Sequence, residues 1–188
     1  MIPAIWKIKG TVLRWSCPLF FKSIGRGTLF TGRVRLPMPF RTIEIGQNCM
    51  IGHDVYFQTG RDSTVSLGDE VSINSGGHVI ASERISIGNN VAIGEFVSIR
   101  DQDHKFRPDR GVRGQGFTVA PVEISDNVWI GRGVYIGPGS KIGSGSIVAA
   151  NSVVHGQFPP NSLIAGAPAT VRRTINPDGS RSAPEPSN

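Results

Sequence analysis

Cysteine is nearly absent from this chain. Its two thiols, Cys17 and Cys49, make no disulfide framework, and neither stands in a CxxC or Cys/His metal spacing. A reducing cytoplasm is the simplest setting for such a sequence. No apolar run is long enough to span a bilayer, because Lys7, Lys9 and Arg14 cut the only candidate, and the same charges spoil a signal-peptide core. Aromatic residues make up only 7% of the chain. A formal charge of +6 comes with no recognised nucleic-acid module, and the arginines are scattered over the whole length. An anionic small molecule or a polyphosphate-bearing cofactor accounts for the basic excess equally well.

What is present is a six-residue beat. Ile124, Ile130, Ile136, Ile142, Val148 and Val154 place an aliphatic residue at every sixth position. The beat recurs earlier at Ile45, Ile51 and Phe57, at Leu67, Ile73 and Val79, and at Ile87, Ile93 and Ile99, with a weaker opening triplet at Ile24, Phe30 and Leu36. Six is neither the helical period near 3.6 nor the strand alternation of two. It is the mark of a parallel β-helix, in which each hexad supplies a short strand and a turn. Three hexads close one triangular coil, and stacked coils put each aliphatic residue above its equivalent, filling a narrow core. Glycine follows the aliphatic residue at many hexads, Gly46, Gly68, Gly88 and Gly131 among them, which suggests tight backbone corners. Two residues before the next aliphatic position the side chain is small or β-branched, as at Val91, Val128, Ser140 and Ser152. The triplets predict an all-β solenoid of about six coils, stabilised coil by coil.

The interruptions are as informative as the beat. Four extra residues lie between Phe57 and Leu67, two between Val79 and Ile87, and the segment 100–123 forms a long polar insertion between Ile99 and Ile124. A long loop on a regular scaffold is more often functional than idle. Ahead of the beat, residues 1–23 carry Ile5, Ile8, Val12, Trp15 and Leu19 at helical spacing with Lys7, Lys9, Arg14 and Lys22 interleaved. This lead-in reads either as an amphipathic cap over the open solenoid end or as a peripheral anchor at an anionic membrane surface. The expected domain is 24–173, and 174–188, rich in Pro, Ser and Gly, is expected to be a disordered tail.

The run Val128-Trp129-Ile130-Gly131, the later Ala149-Ala150-Asn151-Ser152-Val153-Val154, and the closing Ala165-Gly166-Ala167-Pro168-Ala169 followed by Arg172-Arg173 resemble the hexapeptide-repeat acyltransferases. Among these the chain is most similar to the maltose, galactoside and polysaccharide O-acetyltransferase group, over about residues 43–173. The resemblance implies a left-handed β-helix, a homotrimer, and acyl transfer from acetyl-CoA to a sugar hydroxyl in clefts between subunits. Fold alone does not license that chemistry.

The resemblance places the catalytic histidine at His104, at the start of the long insertion. A neutral imidazole there suits a general base that takes the proton of an acceptor hydroxyl, with Asp101 or Asp103 as candidates to orient the ring. As an isolated residue, His104 would read as a solvated loop side chain. Asn74 matches the family's acceptor-binding Asn, or is a turn amide satisfying backbone groups, and Glu83 is a further acceptor-binding candidate. For acetyl-CoA the implied residues are Gly131, Arg132, Ala150 and Arg173, the last as a phosphate contact; Trp129 either lines the same groove or packs at a corner. Relatives usually carry a lysine after the Val-Val pair, where this chain has His155-Gly156-Gln157. Two other classes share the fold. A γ-carbonic-anhydrase-like metalloenzyme needs closely spaced histidines, and His53, His78, His104 and His155 are far apart in sequence, so no metal is expected; the other class is a β-helical protein that binds or scaffolds without catalysis.

Overall fold

The computed structural model describes residues 20–38 and 40–182, and among these no helix occurs. The strands fall into three faces: a seven-stranded sheet from Phe21–Ile24 to Gln157–Phe158, an eight-stranded sheet opening at Leu29–Phe30, and a six-stranded sheet from Val34–Arg35 to Val153–Val154. Successive strands pass to successive faces, so three consecutive strands make one coil, and six complete coils are followed by the start of a seventh. The coil in the middle of the solenoid is typical, with Arg84–Ile87 on the first face, Ala92–Ile93 on the second and Ser98–Arg100 on the third.

The beat becomes the core by register. Ile87 lies beside Ile124 and Ile124 beside Ile142 on the first face; Ile93, Ile130, Val148 and Ile164 follow one another on the second; Ile99, Ile136 and Val154 on the third. All are buried, and each contributes about 1.5–3 kcal/mol of transfer free energy. The small and β-branched positions are buried as well, including Val91, Val97, Val128, Val134, Ser140 and Ser152. A serine is tolerated there because its hydroxyl donates to a turn carbonyl, Ser140 to Gly137 O at 2.7 Å and Ser152 to Ala149 O at 2.7 Å.

The glycines that follow the aliphatic positions serve a purpose other than the one inferred from sequence. At Gly131 an added Cβ would lie 2.6 Å from the backbone nitrogen of Ala150, and at Gly46 it would lie 2.4 Å from the carbonyl oxygen of Gly68. Close approach of the next coil excludes a side chain. The left-handed backbone comes two residues later, as at Asn48, Asn90, Gly133 and Asn151, which are residue types that adopt it readily.

The helical spacing through Ile5, Ile8, Val12, Trp15 and Leu19 lies outside the described residues. Lys22, placed with it, instead sits in the strand Phe21–Ile24, which pairs with Ile43–Ile45, and its Nζ meets Glu44 at 2.6 Å. Among the described residues the first strand of the solenoid starts at Phe21, whose ring is buried against Phe30. At the other end Ser162–Gly166 turns back antiparallel against Ala169–Thr174. The tail expected to lack structure from 174 continues this reversal: Ile175 bridges Arg181 and Asn176 N donates to Ser180 O at 2.8 Å. Within residues 174–182 backbone groups bond to each other, which orders this part of the Pro-, Ser- and Gly-rich stretch without the six-residue beat.

Candidate active site

The long insertion is an ordered hairpin. Gln102–His104 runs antiparallel to Phe117–Val119, with Gln102 opposite Val119 and His104 opposite Phe117. Its base is closed by Ala120 N donating to Asp101 O at 2.9 Å, and the ladder continues with Lys105 N to Gly116 O at 3.1 Å. The hairpin leaves the prism at the corner between the third and first faces, directly after Ser98–Arg100.

Asp101 holds that corner. It has no exposed surface, and its carboxylate accepts the backbone N–H groups of Ser82 at 2.7 Å, Glu83 at 2.7 Å and Arg84 at 2.8 Å. Asp101 as a residue orienting His104 is therefore corrected: its oxygens point into the coil below, onto the small bulge at 82–84. Ser82 Oγ also donates to Gln102 Oε1. Glu83 and His104, both exposed, thus hang from two segments laced together by one buried carboxylate.

Asp103 is likewise engaged elsewhere, accepting from Tyr135 Oη at 3.2 Å. Burial, and then the Asp103 charge and that hydrogen bond, push the Tyr135 hydroxyl above the ordinary tyrosine range. Tyr135 stands on the third face, so this bond ties the hairpin to the prism. The His104 ring is placed by stacking, its centroid 4.4 Å from that of Phe117 with the planes tilted by 40°. On the same third face His78 meets Tyr56 edge-on at 5.5 Å; burial, followed by the charges of Arg100 and Arg35, holds it below the usual histidine range.

Asn74 sits elsewhere, at the corner between the second and third faces, with its Nδ2 donating to Glu95 Oε1 at 2.9 Å. The donor-side candidates cluster around this corner and the second face. Gly131 lies directly beneath Ala150, and Arg132 O accepts from Asn151 N at 2.9 Å. Trp129 projects outward from the second face, 55% exposed, beside Ala92 and Ile147. Arg173 pairs with Leu163 at the end of that sheet. One chain thus brings His104 with Glu83 at one edge of the third face, and Asn74 with Gly131, Arg132 and Ala150 at its other edge.

Three residues of this region were missed in the sequence: Tyr135, Glu95 and Phe96. Phe96 had a readable signal, since the third residue after the aliphatic position is Gly76 and Gly133 in the coils on either side. The Tyr135–Asp103 contact had none, because the partners are 32 residues apart. Among the described residues no group of three or more His, Cys, Asp or Glu side chains is arranged to hold a metal ion.

Comparison with known proteins agrees with this architecture. Residues 121–156 match the bacterial transferase hexapeptide family (six repeats), and residues 42–79 match the hexapeptide repeat of succinyl-transferase; the hairpin lies between the two. Nodulation protein L of Rhizobium meliloti is 36% identical over 130 residues, covering 69% of each chain. The galactoside O-acetyltransferase of Lactococcus lactis is 35% identical over 133 residues, 71% of this chain. The chain spans only 63% of the length of that relative and 64% of its Escherichia coli counterpart. A hexapeptide-repeat acetyltransferase of Vibrio cholerae, solved with acetyl-CoA, superimposes with a TM-score of 0.65 at 25% identity, covering 93% of this chain and 81% of its own. The chain belongs to the hexapeptide-repeat acetyltransferases.

Proposed function

We propose that this protein transfers an acetyl group from acetyl-CoA to a hydroxyl of a saccharide or glycosylated precursor, with His104 as general base. The observation that carries this reading is the hairpin: the largest departure from a regular prism is an ordered ribbon, anchored by Asp101, that presents one exposed histidine held against Phe117. The neutral imidazole takes the acceptor proton as the hydroxyl oxygen forms its bond to the thioester carbonyl carbon. The tetrahedral intermediate collapses with cleavage of the carbon–sulfur bond, and the imidazolium returns the proton to the departing thiolate. A backbone N–H at the donor corner is suited to receive the oxyanion.

The separation of His104 from the donor-side corner supports a cyclic trimer, in which the hairpin of one copy reaches the corner of the next. Light scattering is expected to give three times the chain mass; a monomer at micromolar concentration overturns this cleft. The apolar and basic pattern of residues 5–19 supports contact of that segment with either the solenoid end or an anionic membrane surface. Purified protein and acetyl-CoA are expected to modify sugar hydroxyls faster than simple amines. Modification of amino-sugar nitrogens with no hydroxyl acceptor overturns the assignment.

Two substitutions probe the two ends of the site. Arg173→Ala is expected to weaken CoA more than dephospho-CoA, by somewhat over tenfold, since a charge-assisted hydrogen bond contributes about 1.5–3 kcal/mol. Equal losses, measured by calorimetry, place Arg173 away from that phosphate. Tyr135→Phe removes the hydroxyl that ties Asp103 to the prism. It should lower turnover several-fold, corresponding to about 1 kcal/mol, while acetyl-CoA affinity and melting temperature stay near wild type.

A further inference from the structure

At many hexad corners the third residue after the aliphatic position takes the left-handed backbone, and at the other such corners it is Gly, Asn, Asp or Glu, as at Gly27, Asn48, Asp54, Glu70, Asn90, Gly133 and Asn151. Phe96 breaks the series. It has φ of 57°, a conformation unfavourable for a bulky side chain, and its ring is 61% exposed. Neither feature helps the fold: an Asn would fit the backbone better, and burial gains little from a ring left mostly in water.

The ring is nevertheless held in place. A Cβ on Gly76, in the coil below, would lie 2.6 Å from the ring carbon Cδ1, so only glycine leaves room for it there. From the coil above, the Arg132 guanidinium lies over the ring, 5.8 Å from its centroid. Next in sequence, the Glu95 carboxylate accepts from the Asn74 amide. The corner therefore presents an open aromatic surface bordered by a carboxylate, an amide and a guanidinium. Strained, exposed side chains kept in place by their surroundings mark ligand sites, and a flat apolar surface with polar groups at its rim matches a pyranose ring, which has an apolar C–H face and a hydroxyl edge.

We propose that Phe96 is the platform of an acceptor subsite, with the C–H face of a pyranose stacked on its ring and the sugar hydroxyls bonded by Glu95 and Asn74. This rests on the saccharide reading above and makes Phe96 a specificity-determining residue. The Glu95 carboxylate disfavours the alternative occupant, the phosphate-bearing end of CoA, by like charge.

The test is Phe96→Asn, which installs a residue type already used at the same corner position in other coils. The variant should fold and melt at or slightly above the wild-type temperature. With methyl pyranosides as acceptors, the acceptor KM should rise about tenfold, equivalent to about 1.4 kcal/mol, while kcat and the acetyl-CoA dissociation constant stay within about twofold. Weaker acetyl-CoA binding with an unchanged acceptor KM assigns the ring to the donor and overturns the proposal. So does a changed oligomeric state with both constants preserved, which would mean that the ring packs between copies. A wild-type protein that binds acetyl-CoA but acetylates no pyranoside sinks the saccharide reading itself, and the subsite with it; that outcome is seen without any variant.

Discussion

His104→Ala is expected to reduce acetyl transfer by about 10²- to 10⁴-fold, the usual contribution of a positioned general base. The loss should fall on kcat. Acetyl-CoA affinity should be preserved, because a general base acts on the acceptor proton and not on the donor. Stability should hardly change either: the histidine is exposed and its ring contact is with Phe117, itself exposed on the same ribbon. Single-turnover rates, calorimetric titration with acetyl-CoA and a thermal melt separate these effects. Turnover equal to wild type would remove His104 from the chemistry, whatever the binding result.

Asp101→Ala should be the most damaging single change to the fold near the site. It strands the three backbone N–H groups of Ser82, Glu83 and Arg84 in a position without exposed surface. An unsatisfied buried donor costs about 1–3 kcal/mol, so three of them cost at least about 3 kcal/mol if the corner does not rearrange. For a domain of this size that corresponds to a fall in melting temperature of roughly 10 °C. Glu83 and His104 lose their common anchor together, so the protein that remains folded should also turn over slowly. Asp101→Asn should be intermediate, because one oxygen still accepts while the new amide NH₂ faces backbone donors. Amide exchange at 82–84, followed with the melt, reports the corner directly; a melting temperature within about 2 °C of wild type would mean that the bulge does not depend on this carboxylate.

Asp101 also shows where reading the sequence stops. It stands between an aliphatic beat and a histidine, and nothing local distinguishes it from Asp103. Yet one is buried and bonded to a bulge 17 to 19 residues earlier, and the other is exposed and meets a tyrosine 32 residues later. Coil stacking makes such distant pairs neighbours. Their spacing depends on the lengths of the insertions between them, which follow no period.

The sequence by itself determined the solenoid. Period six admits no helix or ordinary strand pattern, so Ile124, Ile130, Ile136 and their equivalents had to stack, and all are buried. It also located the long insertion, because a break in so regular a beat cannot stay inside the prism; the histidine within it was singled out by the family resemblance. Only the tertiary structure decided that the break is a hairpin, that Asp101 is its buried anchor, and that the glycines after the beat are required by the next coil's backbone. It also decided which residues share a corner: Asn74, Glu95, Phe96 and Arg132 come from three different coils. The physical reason is the same throughout. A hexad dictates its own strand and turn, whereas contact between coils depends on how many residues the chain spends before it returns to the same face.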